Sequence, residues 1–186
     1  MATSTLSNFT TALSYSGARP SLFDLSCTLP GNKKGPEEMK TFCNVTAIPP
    51  LTVTPIERQY FGRTVKIPGD MVFGDLSTTI MNTEKYPIRN MVDEWMDTIN
   101  TTVGNIGKSD NADWQATVTL TQYSKQGKSL MVYKFIDCWP QAVSEVALSY
   151  DTASDIETFD ITWAYNYYTS EAGKSTNVTT TFAKQV

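Results

Sequence analysis

The chain has 186 residues, a length that fits one domain or one domain with extensions. Hydrophobic residues make up 40% and charged residues 18% of the chain, a balance that excludes disorder throughout, and the formal net charge is −4. Histidine is absent, which excludes histidine-assisted serine or cysteine catalysis, imidazole metal ligation and a pH switch centred near neutrality.

The first residues in the chain carry no recognisable targeting signal. Residues 1–16, which we interpret as an N-terminal arm, lack a basic segment followed by an apolar run, and no stretch approaches about 18 consecutive apolar residues. We therefore expect a protein that is made and folded in a cytoplasm and has no membrane partner. The three cysteines, Cys27, Cys43 and Cys138, match neither a zinc pattern nor a disulfide framework, and we expect them to be reduced and buried.

The first half of the chain contains short strand candidates separated by proline and glycine. They are Leu22–Leu29, Lys40–Ile48, Arg63–Ile67 and Val72–Met81. One helix follows at Pro87–Thr101, where apolar residues recur at helical spacing and proline suits the first turn. The apolar stripe consists of Ile88, Met91, Val92, Trp95 and Ile99.

The second half of the chain is predicted to form two hairpins. Residues 114–121 alternate apolar with polar side chains, and Lys125–Lys128 supplies a glycine-containing turn into a strand at Ser129–Asp137. Ala142–Tyr150 and Asp155–Tyr168 are predicted as the strands of the second hairpin, joined by turn residues at 151–155.

These elements predict a mainly β fold, a two-sheet β-sandwich or barrel with one α-helix packed on it. Residues 17–168 form the expected domain, and residues 169–186, which begin without clear periodicity, are interpreted as a C-terminal extension. Polar faces of Thr, Asn and Gln along the strands suit a sheet that lines a wet surface. A closed ring of subunits would also remove exposed sheet edges, so the pattern favours an assembly.

Carboxylates are the main candidates for catalysis in this sequence. Asp70 with Asp75, or Asp93 with Asp97, could act as a glycosidase pair if their environments separated their pKa values. The last two lie on the polar face of the predicted helix, where solvated acids are expected. No Walker loop, dinucleotide fingerprint or nucleophile elbow occurs, and the sequence predicts no enzyme activity, cofactor or metal site.

Charge is distributed unevenly along the chain. Residues 135–173 contain seven acids and no base. A segment of this kind cannot bind phosphates, which requires Lys and Arg in number, and it would repel DNA. The alternative is that these acids are only a solvated sheet face and its turns.

Six blocks of the sequence form a characteristic series along the chain. They are Ala18–Phe23, Phe42–Pro49, Gly62–Asn82, Asp93–Trp95, Trp139–Pro140 and Leu148–Tyr168. In this order they resemble the tail tube proteins of contractile-tailed, myovirus-type bacteriophages, and the resemblance spans about residues 17–168. The loop at Asn32–Glu38 and the extension after Tyr168 depart from the family pattern.

The resemblance implies a subunit that forms hexameric rings stacked into a hollow tube within the virion. Such a tube is similar to those of type VI secretion systems and contractile bacteriocins. It implies four further partners: a baseplate tube-initiator that nucleates growth, the tape measure protein inside, the tail sheath outside, and DNA that passes through without specific binding. A baseplate tube-initiator, or the tube of a related contractile injection system, is the alternative within this class. A glycan-cleaving tail enzyme and a monomeric carbohydrate-binding β-sandwich are the readings from other classes.

Two groups of residues are predicted to serve such a tube. Acids of the 135–173 segment, Asp160 above all with Glu157 and Glu145, are expected to face the lumen or basic sheath surfaces. Ring stacking is expected to involve the N-terminal arm and the loops of residues 49–68. The stacking candidates are Arg58, Tyr60, Arg63 and Lys66.

Overall fold

The computed structural model describes residues 6–12, 17–152 and 155–172. The helices in these residues are α1 (Leu6–Ala12), α2 (Glu38–Phe42) and α3 (Pro87–Ile99), with short 3₁₀ turns at Pro30–Asn32, Asn111–Asp113 and Tyr150–Thr152. The strands are β1 (Phe23–Leu29), β2 (Lys33–Lys34), β3 (Cys43–Thr46), β4 (Leu51–Tyr60), β5 (Arg63–Phe73), β6 (Leu76–Met81), β7 (Ala116–Tyr123), β8 (Ser129–Val143), β9 (Thr158–Ala164) and β10 (Tyr167–Ala172).

All strand pairs in the described residues are antiparallel, and the long strand β8 joins the two halves of the body. The strand order is β2-β1-β7-β8-β9-β6-β3, with β10 also paired to β8. Residues 129–138 of β8 pair with β7 and β10, whereas residues 139–143 pair with β9. The change of partner falls at Asp137, whose φ of 56° marks an irregularity in the strand and whose carboxylate accepts a hydrogen bond from Asn166. The predicted mainly β fold with two sheets is confirmed.

One hydrophobic core lies between the two halves of the body. Alternate residues of β7 (Ala116, Val118 and Leu120) and of β9 (Phe159, Ile161 and Trp163) are buried, as the sequence pattern predicts. Strand β6 adds Leu76, Thr78 and Ile80 to the same core. The outward residues of these strands are largely threonine, serine and aspartate, so each strand has one buried apolar face and one polar face directed away from the core.

Helix α3 covers part of this core and matches the predicted helix closely. Ile88, Val92 and Trp95 are buried, and the Trp95 ring lies 5.8 Å from that of Trp163. The Trp95 indole N–H donates to the Trp114 carbonyl at 2.7 Å, which ties the helix to the start of β7. The short helices α1 and α2 are additional to the one predicted helix, and α2 contributes the buried Met39 to the core.

The structure differs from two strand predictions in the first half. Lys40–Ile48 begins as the end of α2, and only its middle forms β3, because the buried Met39 places this segment against the core as a helical turn. Val72–Met81 is not one strand: β5 ends at Phe73 and β6 begins at Leu76. The interruption at Gly74–Asp75 lets the chain leave one sheet for another.

The predicted closing hairpin is also different. The β8 strand already pairs with β9 through Val143, and 144–149 is irregular, with Leu148 exposed and not on a strand face. Asp155–Tyr168 is two strands, since the chain leaves β9 at Tyr165 and β10 pairs with a different part of β8. Asn166, at the break, donates its backbone N–H to the Ile136 carbonyl at 3.2 Å.

The predicted division of the chain into arm, domain and extension stays a prediction. Residues 1–5, 13–16 and 173–186 lie outside the described residues, and they include most of the arm and of the extension. Strand β10 crosses the boundary expected at residue 168 and continues the sheet to Ala172. None of the helices in the described part of the chain is long and apolar enough to cross a bilayer.

Candidate functional site

Strands β4 and β5 form a hairpin, residues 51–73, that stands apart from the body of the protein and is called the free hairpin below. Among the described strands, these two pair only with each other. Every residue of β4 is exposed, and β5 is exposed except at Gly69 and Phe73, which are half-buried. At about 3.3 Å per residue, the ten residues of β4 place the hairpin's tip roughly 30 Å from its root.

The tip of the free hairpin is a tight turn that presents two aromatic rings. Phe61 and Gly62 both have positive φ, 45° and 75°, as in the type I′ turn that suits two-residue hairpins. Phe61 is 90% exposed and Tyr60 is 67% exposed, and their rings contact each other edge-on at 4.6 Å. Such exposure of large aromatic groups is typical of a surface that binds another molecule.

Apolar side chains occupy both faces of the free hairpin. Register and alternation assign Ile56 and Ile67, which lie opposite each other, to one face together with Val65. The other face carries Val53 and Met71 near the root. All five side chains are exposed. A two-stranded hairpin is only marginally stable alone in water, so this element needs a partner on each face.

The root of the free hairpin is anchored to the body by aromatic packing. The Phe73 ring lies 5.5 Å from that of Tyr168 and 6.2 Å from that of Tyr165, and Phe135 packs against both tyrosines. The Tyr165 hydroxyl donates to the Gly74 carbonyl at 2.5 Å, and burial raises the pKa of Tyr165 to about 12. The root is therefore fixed while the tip is free.

A bulge bends the free hairpin between root and tip. Val53 pairs with Met71 but Pro55 pairs with Pro68, so β5 contains one extra residue at Gly69–Asp70. A Cβ on Gly69 would lie 2.6 Å from the Thr54 carbonyl oxygen, and glycine is required there by this close approach.

The four predicted ring-stacking residues all lie on the free hairpin, but not on one face. Arg58, Tyr60 and Arg63 share the face of Ile56, with Tyr60 opposite Arg63 in the register. Lys66 lies on the other face, where its ammonium forms a 3.2 Å ion pair with Glu57. All four are exposed, and their role in stacking stays a prediction.

The three predicted acidic residues occupy different environments. Asp160 is exposed on the outward face of β9 and accepts a 2.5 Å hydrogen bond from the Thr79 hydroxyl. Glu157 is half-buried and accepts from the Asn82 amide at 2.7 Å and the Tyr86 hydroxyl at 3.0 Å, so it joins β9 to the start of α3. Glu145 is exposed in the irregular segment after β8. Asp160 alone among them combines exposure with a regular sheet face.

Two of the candidate catalytic acids, Asp93 and Asp97, each bind a neighbouring residue of the chain. Asp93 forms a 3.2 Å ion pair with Arg89. The backbone N–H and hydroxyl of Thr102 each donate to Asp97 at 2.8 Å, and these hydrogen bonds lower the pKa of the Asp97 carboxyl. A general acid needs a raised pKa, so this shift is opposite to the one that glycosidase chemistry requires.

Asp70 and Asp75 are both exposed, the first at the bulge of the free hairpin and the second just after its root. The cysteines Cys27, Cys43 and Cys138 are free and buried, as predicted, and burial raises the thiol pKa of the first two to about 12. In the part of the chain that the structure describes, no His, Cys, Asp or Glu cluster could hold a metal ion.

The fold and the free hairpin define a class of protein, the subunits of self-assembling β structures. An element that exposes apolar groups on both faces needs neighbouring molecules to cover it. The chain matches the family model described as "Phage tail tube protein" over residues 5–171. The chain belongs to the phage tail tube protein family, and it is a structural subunit of the inner tube of a phage tail, a part of the virion.

Two sequence relatives agree with this assignment, and with the family match they confirm the resemblance found in the sequence. The chain is 28% identical to the tail tube protein gp19 of Enterobacteria phage T4 and 27% identical to that of Enterobacteria phage T6. Each match covers 81% of this chain and 90% of the relative.

Two solved structures share the fold of this chain. A chain of the anti-feeding prophage baseplate superposes with a TM-score of 0.66 at 10% identity, over 84% of this chain and 96% of that one. A chain of the PVC extracellular contractile injection system, in its extended sheath–tube complex, gives 0.60 at 18% identity, over 91% and 99%. At these identities the likeness shows the fold alone.

Proposed function

We propose that this subunit assembles into hexameric rings that stack into the hollow tube of a contractile tail. The free hairpin is the observation that carries the proposal. Its exposed apolar side chains on both faces are a cost for a monomer in water, and a stack of identical subunits removes that cost. Packing of the free hairpin against neighbouring copies would also give it the stability that a two-stranded sheet lacks.

The stacking residues act through this element. Arg58, Tyr60 and Arg63 lie together near the tip, where one copy can reach another, and Lys66 acts from the opposite face. Each contact is weak alone, because exposed ion pairs contribute about 0–1 kcal/mol. Many such contacts in a ring are strong together, so growth waits for a nucleus, which a baseplate tube-initiator supplies.

The lumen is lined by polar, partly acidic sheet faces. Asp160, on the outward face formed by β6 and β9, is flanked there by Thr79 and Thr162. A conduit of this kind holds the tape measure protein and later passes DNA without retaining it, since retention needs Lys and Arg contacts to phosphates. Glu157, which supports the start of α3, and Glu145 are the further acidic candidates for the lumen or the sheath surface.

The tail sheath surrounds the tube, and the protein performs no catalysis. The lowered pKa of Asp97 and the ion pair of Asp93 support a structural role for the helix acids. The sheath–tube complex among the structural neighbours supports sheath association.

Negative-stain electron microscopy of the purified protein tests the proposal. A concentration series, with and without a baseplate preparation, is expected to show rings or hollow tubes with six-fold end views. Particles that stay monomeric even with nucleating baseplates would contradict the tube assembly.

A baseplate tube-initiator and the tube of a related contractile injection system are the alternatives within this class, since the fold is shared with a baseplate chain and an injection-system tube complex. Gold labelling of assembled particles separates the first from the proposal. A tube subunit is labelled along the whole length of the tail, whereas an initiator is labelled only at one end.

A further inference from the structure

An open groove of about 490 Å³ lies between the C-terminal half of α3 and β8. Its apolar lining is Met96 and Ile99 from the helix and Trp139 and Pro140 from the strand. The polar lining includes two acids of the helix, Asp93 and Asp97, and the uncharged Asn100, Thr102 and Gln141. The groove is therefore a partly apolar recess with two acids in its lining.

We infer that the tip of the free hairpin of a second copy of this chain inserts into this groove. The inference deepens the proposed function, on which it rests, because it names the surface that receives the hairpin. The occupant is assigned by three observations: the size of the groove, the charge of its helical side and the exposure of the tip.

The size of the groove fits aromatic side chains. Sites that take compact organic groups occupy about 300–1,000 Å³, and the groove falls in the lower part of that range. Tyr60 and Phe61 form a compact pair of rings at the end of the free hairpin. Aromatic groups buried in a pocket of the partner are the usual anchors of protein interfaces.

The charges of the two surfaces are opposite. Residues 57–66 at the tip contain Arg58, Arg63 and Lys66 against one acid, Glu57, which pairs with Lys66, so their net charge is +2. Helix α3 contains Asp93, Glu94 and Asp97 against a single base, Arg89, so its net charge is −2. Complementary charges of this kind orient an encounter and suppress wrong partners.

The tip does not occupy the groove of its own chain. Phe61 remains 90% exposed, and the free hairpin carries its tip roughly 30 Å from the root. The arrangement of a protruding tip and a receiving groove on different parts of one chain makes a heterologous contact, which propagates from copy to copy.

Cross-linking in assembled tubes tests the inference. Copies carrying Thr64→Cys, near the tip, are mixed with mass-tagged copies carrying Gln141→Cys, at the groove, and tubes are grown with a baseplate preparation. The tubes are then treated with a short bismaleimide. Both positions are exposed, and the three native cysteines are buried, so they give little background.

The matched control replaces the groove position with Gln126→Cys, another exposed glutamine, in the turn between β7 and β8. We expect a tagged heterodimer from Thr64→Cys with Gln141→Cys, in at least about tenfold higher yield than from the control pair. A second variant, Arg63→Asp in the tip copy, is expected to lower the yield several-fold, and Asp93→Arg in the groove copy to restore it.

The outcomes separate the inference from the proposed function. Normal tubes with equal yields for the two pairs would overturn the groove assignment and leave tube assembly intact. If tubes form normally but Asp93→Arg does not restore the cross-linking yield that Arg63→Asp lowers, the charged contact would be overturned. Failure of the unmodified protein to form tubes on baseplates would overturn the proposed function and the inference together.

Discussion

Two buried hydrogen bonds through the Thr78 hydroxyl join β6 to β9 in the core. The Trp163 indole N–H donates to the Thr78 hydroxyl at 2.9 Å, and the Thr78 hydroxyl in turn donates to the Ile161 carbonyl at 3.4 Å. Both side chains are fully buried. Among the described residues Thr78 is the buried polar side chain, and the core requires it because a buried indole N–H without a partner is costly.

Thr78→Val is expected to destabilise the subunit by about 1–3 kcal/mol, since the Trp163 N–H loses its acceptor while the volume at the site hardly changes. Urea unfolding of the unassembled protein measures the loss. Thr158→Val, at an exposed position of β9, is the control and should change the free energy of unfolding by no more than about 0.5 kcal/mol. Equal losses from both variants would contradict the role given to Thr78.

Asp97 makes the stability of the helix end depend on pH. Hydrogen bonds from Thr102 lower the pKa of the folded carboxyl below its ordinary value of 3.8. The stabilisation is therefore present above pH 3.8 and is lost as the pH falls through the lower folded pKa. Asp97→Ala should be less stable than the unmodified protein at pH 7, and the difference should shrink below about pH 4.

Unfolding of the two proteins between pH 7 and pH 2 measures this convergence. Asp93→Ala is a useful comparison, because its carboxylate pairs with Arg89 and makes no bond to the helix end. A difference between Asp97→Ala and the unmodified protein that stayed constant over the whole range would show that the carboxylate charge plays no part.

At the scale of the element, the free hairpin is separable from the body. None of the described core residues comes from 51–73. Thr52 and Val72 lie opposite each other in the register, so Asn-Gly can join them directly as a type I′ turn in place of Val53–Met71. Phe73 remains in the aromatic cluster at the root.

This shortened protein is expected to fold with little change in its thermal unfolding temperature and to form no tubes. Circular dichroism measures the folding, and electron microscopy on baseplates measures the assembly. The double variant Phe61→Asn with Arg63→Thr keeps the length of the hairpin and removes only two side chains at its tip. It is the control that separates the effect of those side chains from the effect of losing the strands. Tubes of normal length from the shortened protein would contradict the role of the hairpin.

The sequence predicted well those helices and strands in which a single spacing of apolar residues extends over the whole element. The apolar stripe of α3 and the alternation of β7 and β9 were read correctly, because burial of one face decides those patterns. The strand at residues 51–60 was not predicted, because prolines are typical of loops and the segment contains Pro55. The partner strand β5 likewise contains Pro68. Both prolines are accommodated because each strand of a two-stranded sheet is an edge strand.

The strand errors near the C-terminus have a different physical cause. Tyr165 and Tyr167 continue the alternation of β9 in the sequence, yet Tyr168, not Tyr167, packs inward after the break at Asn166. Partner exchange along β8 is a tertiary effect that leaves no mark in local periodicity. The groove beside α3 was likewise beyond prediction, because its two walls, residues 93–102 and 139–141, are far apart in the sequence.

At the scale of the whole molecule, two parts of the chain carry opposite net charge. The tip of the free hairpin is basic, whereas residues 135–173 contain only acids among their charged side chains. Such segregation lets one molecule attract its own copies through one surface and repel nucleic acid through another. The lumen proposed above depends on the second surface, and Asp160 is the residue at which it is best tested.

Asp160→Lys is expected to leave tube assembly intact and to slow DNA ejection from virions built with the variant. The substitution changes the charge at one site by +2 in every subunit, and repetition around and along the tube creates a basic lumen that binds phosphates. Ejection followed by a DNA-binding dye in the external solution measures the rate. Because such binding is electrostatic, the slowing should diminish as the salt concentration rises.

Glu94→Lys, which makes the same charge change on the exposed face of α3, is the control for net charge alone. We expect ejection at the normal rate from any tubes that it forms, since α3 is not part of the proposed lumen. Unchanged ejection with Asp160→Lys, or equal slowing with both substitutions, would remove Asp160 from the lumen. The β6–β9 face would then belong to the outside of the tube, where its acid would meet the sheath.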